Sequence, residues 1–142
     1  MGLFNWFTQE IAIDLGTANT LIIHNDEVVV NEPSIVALNR NNPKEVLAVG
    51  KRALMMHEKT HESIKTIRPL KDGVIADFNA AELMLREMIK LVYPKKPLFP
   101  PSWRMMICIP SSITEVEKRA VRDSAEQAGA KEVYLIHEPM AA

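Results

Sequence analysis

Five apolar stretches follow one another in the first fifty residues, each five or six positions long and either unbroken or alternating with polar positions. This pattern is typical of β-strands. Asn25-Asp26 is a turn signal between the second and third stretches, which predicts that the first three strands form an antiparallel meander. Pro43 lies in a second predicted turn, at 39–45, and is excluded from any central strand. The stretches are residues 11–15, 20–24, 27–31, 34–38 and 45–50.

Patterns typical of helices begin after residue 50. Asn79, with Glu82 three positions later, predicts the N-cap of an amphipathic helix that stops before Pro94. Thr114 and Glu117 form a second capping box, and Gly129 is expected to end that helix. Further elements are predicted as a short helix within 50–65, a turn at Asp72-Gly73, a buried strand at 103–110 and a strand at 132–136.

The order of these elements predicts the fold class. A strand meander, a small inserted unit near 33–75 and then alternating helices and strands are expected to build an α/β fold with a mixed sheet and flanking helices. Pro139 stands at a helix-start position three residues before the last residue, Ala142. We therefore expect the chain to be a fragment whose final helix is cut off.

Composition narrows the classes of function. The 142 residues are 47% hydrophobic and 25% charged, and 17 basic residues nearly balance 18 acidic ones, so no global charge indicates a nucleic-acid partner. The single cysteine, Cys108, excludes an internal disulfide and is expected to be a buried core residue. No apolar run reaches the length of about 20 residues that a spanning helix requires, and no export signal is recognisable.

The first ten residues, MGLFNWFTQE, carry an amphipathic pattern. Their bulky apolar side chains share one arc of a helical wheel, which favours a helix lying in a membrane surface; these are Leu3, Phe4, Trp6 and Phe7. A strand or helix end docked on the core is the alternative. The segment has no Lys or Arg, so an anchor would depend on apolar insertion by many copies together.

The stretch 11–23, IAIDLGTANTLII, places one carboxylate and a run of small and hydroxyl residues between two apolar runs. Small residues in a tight turn allow phosphate oxygens to approach main-chain N–H groups, and a carboxylate beside them can hold Mg²⁺ that arrives with a nucleotide. The candidate binding residues are Asp14, Gly16, Thr17, Ala18, Asn19 and Thr20, with Asp14 as the metal residue. A plain hairpin is the alternative, because the stretch is neither a Walker loop nor a dinucleotide fingerprint.

Glu138 is the second candidate carboxylate. It falls near the N-cap of the final predicted helix, where Asp, Asn, Ser or Thr would cap better. At the end of a strand in an α/β sheet, this carboxylate could orient a water molecule toward a phosphate held by the first loop.

Four segments together resemble the MreB family of bacterial actin homologues: IDLGTANTLI, NEPSIVAL, RPLKDGVIADF and IHEPMAA. The resemblance covers about residues 11–142. The first segment is shared with the wider superfamily of actins, DnaK-type chaperones and sugar kinases, whereas its combination with the third is much more specific. Leu70, Lys71 and His137 depart from the usual family residues.

The resemblance implies the first half of an actin-like, ribonuclease H-like ATPase fold. Residues 11–32 and 76–142 would form the larger subdomain and 33–75 the small one, with 1–10 as a membrane-anchor segment. The loop residues named above would bind the phosphates of ATP, Asp14 would lie on the Mg²⁺ side, and Glu138 would position the hydrolytic water. Family members form ATP-dependent filaments on the inner face of the cytoplasmic membrane, determine cell shape and meet membrane proteins of the cell-wall elongation machinery.

Rival interpretations remain at this point. A DnaK-type chaperone ATPase or an ATP-dependent sugar kinase would share the first segment, and the fragment alone could act only as a docking module. Because a second phosphate loop would lie outside these residues, we expect the 142-residue chain neither to bind ATP tightly nor to hydrolyse it.

Overall fold

The computed structural model describes residues 8–59, 61–93, 98, 102–110 and 113–137. The strands are β1 (Thr8–Leu15), β2 (Asn19–His24), β3 (Glu27–Pro33), β4 (Val36–Asn39), β5 (Asn42–Val49), β6 (Ile64–Ile67), β7 (Leu70–Lys71), β8 (Val74–Ile75), β9 (Ser102–Ile109) and β10 (Ala130–His137). The helices are α1 (Lys51–Glu58), α2 (Phe78–Lys90) and α3 (Glu115–Gln127). In these ranges, no helix is long and apolar enough to cross a membrane.

A five-stranded mixed sheet of order β10-β9-β1-β2-β3 forms the centre of the molecule. The predicted meander is confirmed, because β1, β2 and β3 pair antiparallel and Asn25 and Asp26 turn between β2 and β3 with φ of 52° and 62°. β9 and β10 run parallel to β1. The mixed α/β fold is thereby confirmed. β1 begins at Thr8, three residues before the predicted strand, because Thr8 and Gln9 continue the ladder with β9.

A second sheet of order β5-β4-β6 lies within the range predicted as the inserted unit. Its hairpin turn is shorter than predicted, since β5 starts at Asn42 and includes Pro43. β5 is an edge strand, where the missing N–H of proline costs no ladder bond. β6 was not predicted, because four residues on an edge carry little pattern of their own.

The core lies on one face of the five-stranded sheet. Helices α2 and α3 cover this face, and β4 adds Val36 and Leu38 to the same core, whereas Ile35 and Ala37 pack with Ala53 of α1 in a smaller one. In the described part of the chain, no helix covers the opposite sheet face. The prediction that Cys108 is a buried core residue is wrong. Cys108 is only partly buried and lies on the uncovered face, in register with Asp14 and Ile136.

The helix starts show how local signals compete. Thr114 and Glu117 form the predicted capping box of α3, and Gly129 follows its C-cap with φ of 111°. The predicted N-cap Asn79 is wrong: α2 begins at Phe78, and Asp77 Oδ1 accepts the Ala80 N–H over 2.9 Å. Asp77 is the N-cap because Pro69 O accepts its main-chain N–H over 3.2 Å and holds Asp77 in an extended conformation.

Candidate functional site

The predicted phosphate loop connects β1 to β2 at one edge of the five-stranded sheet. The carboxyl ends of the parallel strands β1, β9 and β10 meet at this edge, where Asp14 lies beside Cys108 and His137 lies beside Ile109. Open α/β sheets bind ligands at the carboxyl ends of their strands. The loop therefore occupies the position that the sheet topology favours for a ligand.

Gly16 makes the turn possible. Its N–H donates to Asn19 O over 3.2 Å, which closes the loop on itself. A Cβ at position 16 would lie 2.5 Å from this carbonyl oxygen, closer than a carbon atom can approach. Only glycine fits this position without moving the main chain.

Thr17 and Ala18 lie at the tip of this turn. Both residues are exposed, and neither N–H donates a hydrogen bond to any residue that the structure describes. Adjacent unpaired N–H groups in a tight turn form a concavity suited to an anion. Asn19 is also exposed, so its amide side chain stands at the same surface.

Thr20 has a different position from the other predicted residues. Its side chain is fully buried, and its hydroxyl lies 2.8 Å from the hydroxyl of Ser34, which is also fully buried. Ser34 Oγ donates to Gly16 O over 2.6 Å, and Ser34 N–H donates to Ala18 O over 2.9 Å. Thr20 and Ser34 therefore support the loop from its buried side. Ser34 was not predicted as a site residue, because it lies 18 positions from Gly16 in sequence.

Thr17 also connects the loop to the β7–β8 hairpin. The Gly73 N–H donates to Thr17 Oγ1 over 2.9 Å. Asp72 and Gly73 turn this hairpin with φ of 53° and 75°. The structure thus brings two segments of the sequence resemblance, the loop and the RPLKDGVIADF stretch, into direct contact.

Asp14 is the carboxylate closest to the loop along the strand. It is exposed on the uncovered sheet face, and no described residue gives it an ion pair or a hydrogen bond. In the described ranges, no three His, Cys, Asp or Glu side chains form a group that could hold a metal by themselves. A single carboxylate is nevertheless enough for Mg²⁺, which keeps several waters and takes phosphate oxygens as further ligands. The residues present therefore fit a metal–nucleotide.

The remaining predicted site residues lie outside the described part of the chain. Glu138 follows directly on His137, the last residue of β10. Leu3, Phe4, Trp6 and Phe7 precede Thr8, the first residue of β1. Their roles stay predictions.

Comparisons with known proteins agree with this geometry. A model of the MreB/Mbl protein family matches residues 8–142. The chain is 50% identical over 140 residues to the cell shape-determining protein MreB of Escherichia coli (strain K12), and 50% identical over 137 residues to the cell shape-determining protein Mbl of Bacillus subtilis (strain 168). Each alignment covers 96% of this chain and 40% of the relative, so the chain spans less than half the length of these relatives.

Solved structures give the same result. The crystal structure of MreB5 of Spiroplasma citri bound to ADP matches with a TM-score of 0.74 at 36% identity, and its complex with AMPPNP with a TM-score of 0.73 at 34% identity. Both matches cover 92% of this chain and 38% of the solved chain.

Proposed function

The chain belongs to the MreB/Mbl family, and on that premise we propose that its β1–β2 loop holds the phosphates of Mg²⁺–ATP in a longer, filament-forming protein that determines cell shape. The fold is the first part of an actin-like fold, as the resemblance implied. The DnaK-type chaperone alternative finds no support in the family match. The single observation that carries the proposal is the pair of unpaired main-chain N–H groups at the exposed residues Thr17 and Ala18, three and four positions after the unpaired carboxylate of Asp14.

Each residue of the loop has a role in the proposed site. The N–H groups of Thr17 and Ala18 donate to phosphate oxygens, and the Asn19 side chain adds a neutral donor at the same surface. Asp14 would hold Mg²⁺ directly or through its waters, and Mg²⁺ would supply positive charge beside the phosphates. Glu138, the next residue in the sequence after the last one of β10, would position the attacking water.

The 142-residue chain is proposed to bind Mg²⁺–ATP weakly and without turnover. Thr17, Ala18 and Asn19 are exposed, so a bound phosphate would keep water on its outer side. Binding sites for small molecules ordinarily bury most of the ligand surface. We therefore expect this open site to bind with a dissociation constant of about 1 mM or weaker, which corresponds to about −4.1 kcal/mol. Hydrolysis in the longer protein would require that the phosphates be enclosed.

Membrane attachment is proposed for the segment that precedes β1. Leu3, Phe4, Trp6 and Phe7 would insert into the inner face of the cytoplasmic membrane, where filament assembly supplies the many copies that a short anchor needs. The elongation-machinery proteins remain proposed partners at the same membrane. A vesicle-pelleting experiment tests this anchor by comparing the full chain with a deletion of residues 1–7, which leaves β1 intact because β1 starts at Thr8. Equal pelleting of the full chain and the deletion with vesicles of phosphatidylethanolamine and phosphatidylglycerol would contradict the anchor.

Substitution of Asp14 tests the nucleotide proposal. We expect Asp14→Asn to reduce the affinity for Mg²⁺–ATP about tenfold, because the metal contact is lost. The affinity for ATP without metal should not fall, because the repulsion between the carboxylate and the phosphates is lost as well. Asp26→Asn is the control, since Asp26 is an exposed aspartate in the β2–β3 turn at the other edge of the sheet. Titrations followed by amide NMR measure both affinities. Equal Mg²⁺ dependence in wild type and Asp14→Asn would contradict the proposal.

A further inference from the structure

Ser34 lies where the chain leaves the five-stranded sheet for the smaller one, between the end of β3 at Pro33 and the start of β4 at Val36. It is fully buried and makes three hydrogen bonds. Two reach main-chain carbonyls of the loop, Gly16 O at 2.6 Å and Ala18 O at 2.9 Å, and the third joins the hydroxyl of Thr20 at 2.8 Å.

The direction of these hydrogen bonds follows from their chemistry. A carbonyl oxygen can only accept, so the single hydroxyl hydrogen of Ser34 is donated to Gly16 O. Thr20 Oγ1 must then donate to Ser34 Oγ. The three residues form a chain of donors that ends on the loop, and removal of either hydroxyl changes how strongly Gly16 is held.

The two carbonyls determine where the loop's N–H groups point. A trans peptide unit is planar, with its carbonyl and its N–H on opposite sides. The Gly16 carbonyl faces Ser34, so the N–H of Thr17 in the same peptide unit faces away from Ser34. The Ala18 carbonyl also faces Ser34, so the N–H of Asn19 points to the other side, toward β1, where Asn19 O accepts the Gly16 N–H. Ser34 therefore fixes the Gly16–Thr17 and Ala18–Asn19 peptide planes, which lie on either side of the Thr17–Ala18 peptide unit.

We propose that Ser34 is a positioning residue for phosphate binding: from the junction of the two sheets it holds the carbonyls of Gly16 and Ala18 inward. It thereby directs the N–H of Thr17 toward the ligand and sets the planes on either side of the peptide unit that carries the N–H of Ala18. The role rests on the proposed function of the loop. It also places the crossover between the two sheets in direct contact with the loop.

Two variants separate this role from a general contribution to stability. Ser34→Ala removes the hydroxyl that holds Gly16, whereas Thr20→Val keeps that hydrogen bond and removes only its supporting donor. Ser124→Ala is the matched control, because Ser124 is a buried serine whose hydroxyl donates to Ala120 O over 2.7 Å within α3. The substitutions at 34 and 124 thus remove the same kind of hydrogen bond at two distant places.

The experiment titrates the folded 142-residue chains with Mg²⁺–ATP and follows the amide signals of the loop. We expect Ser34→Ala to weaken binding about tenfold, because one well-formed hydrogen bond is lost. Thr20→Val should weaken binding by a smaller factor. Ser124→Ala should bind as the wild type does. Hydrogen exchange of the Gly16 amide is expected to accelerate in Ser34→Ala and to stay unchanged in Ser124→Ala.

The outcomes distinguish the two proposals. Wild-type affinity in Ser34→Ala, or an equal loss of affinity in Ser124→Ala, would overturn the positioning role and leave the loop's function standing. If Ser34→Ala fails to fold, Ser34→Cys takes its place, because a thiol is only a weak hydrogen-bond donor, and wild-type affinity in that variant would overturn the role. A wild-type chain without any loop response to Mg²⁺–ATP would overturn the proposed function, and the positioning role with it.

Discussion

The main-chain N–H of Gly73 donates to the side-chain oxygen of Thr17 over 2.9 Å, joining two turns that lie 56 positions apart in the sequence. The hydroxyl hydrogen of Thr17 is not used in this contact, so it stays available to a ligand. The β7–β8 hairpin is therefore held against the candidate phosphate loop by a residue of the loop itself.

Thr17→Val tests this contact. Valine has nearly the same shape but no acceptor, so the Gly73 N–H loses its partner and we expect a loss of about 1 kcal/mol in the free energy of unfolding. Thr17→Ser keeps the oxygen and is the control. Urea denaturation measures the stability, and hydrogen exchange at Gly73 measures the contact. Unchanged exchange at Gly73 in Thr17→Val would show that the hydrogen bond contributes nothing.

Gly50 and Gly73 give a second prediction, because both have φ near +65 to +75° but differ in surroundings. A Cβ at Gly73 would have nothing within 4 Å, whereas one at Gly50 would lie 2.8 Å from the Glu32 Cβ. The Glu32 carboxylate accepts the Lys51 N–H over 2.8 Å at the start of α1, where Gly50 offers no side-chain cap.

We expect Gly73→Ala to cost about 1 kcal/mol, from backbone strain alone. Gly50→Ala should cost about 2 to 3 kcal/mol, because it also displaces the carboxylate that caps α1. Thermal or urea unfolding of the two variants in parallel measures the difference. Equal losses would mean that Glu32 moves aside freely and does not stabilise the helix start.

The uncovered sheet face carries a pH-dependent contact. Arg104 of β9 donates to Glu132 of β10 and to Glu10 of β1, each over 2.7 Å. The hydrogen bond from Arg104, with a smaller contribution from the Tyr134 hydroxyl, holds the pKa of Glu132 below its ordinary value. A carboxylate with a lowered pKa stabilises the fold above its ordinary pKa, and that contribution is lost as the pH falls through the lowered value.

We therefore expect Arg104→Gln to raise the pKa of Glu132 toward its ordinary value, and Tyr134→Phe to raise it less. Carboxyl carbon NMR of Glu132 across the acid range measures both changes. The stability difference between wild type and Arg104→Gln should shrink as Glu132 is protonated. A Glu132 titration that is the same in wild type and Arg104→Gln would contradict the assignment.

Local signals predicted much of the fold correctly. The Asn25-Asp26 turn and the Thr114–Glu117 capping box depend on residues within three positions of one another, so the sequence displays them directly. At the start of α2 two residues could cap, and the choice of Asp77 depends on Pro69, which a local pattern does not contain. β6 is too short to show a period.

The candidate site shows the same difference between local signals and contacts that are distant in sequence. Asp14, Gly16, Thr17 and Ala18 were predicted because they are consecutive or nearly so and their chemistry is local. Ser34 and Gly73 were missed as site residues, since their contacts with the loop cross 18 and 56 positions and depend on the packing of the two sheets and the hairpin. Thr20 was predicted as a binding residue on its hydroxyl, but strand alternation places that hydroxyl on the buried side.

An amide NMR titration of the 142-residue chain with Mg²⁺–ATP measures whether the β1–β2 loop receives the phosphates of a metal-bound nucleotide. We expect the largest shifts at Thr17, Ala18 and Asn19, and we expect them to vanish in Gly16→Ala, whose Cβ would collide with Asn19 O. Shifts centred elsewhere, or a Gly16→Ala variant that responds like the wild type, would contradict the proposed function.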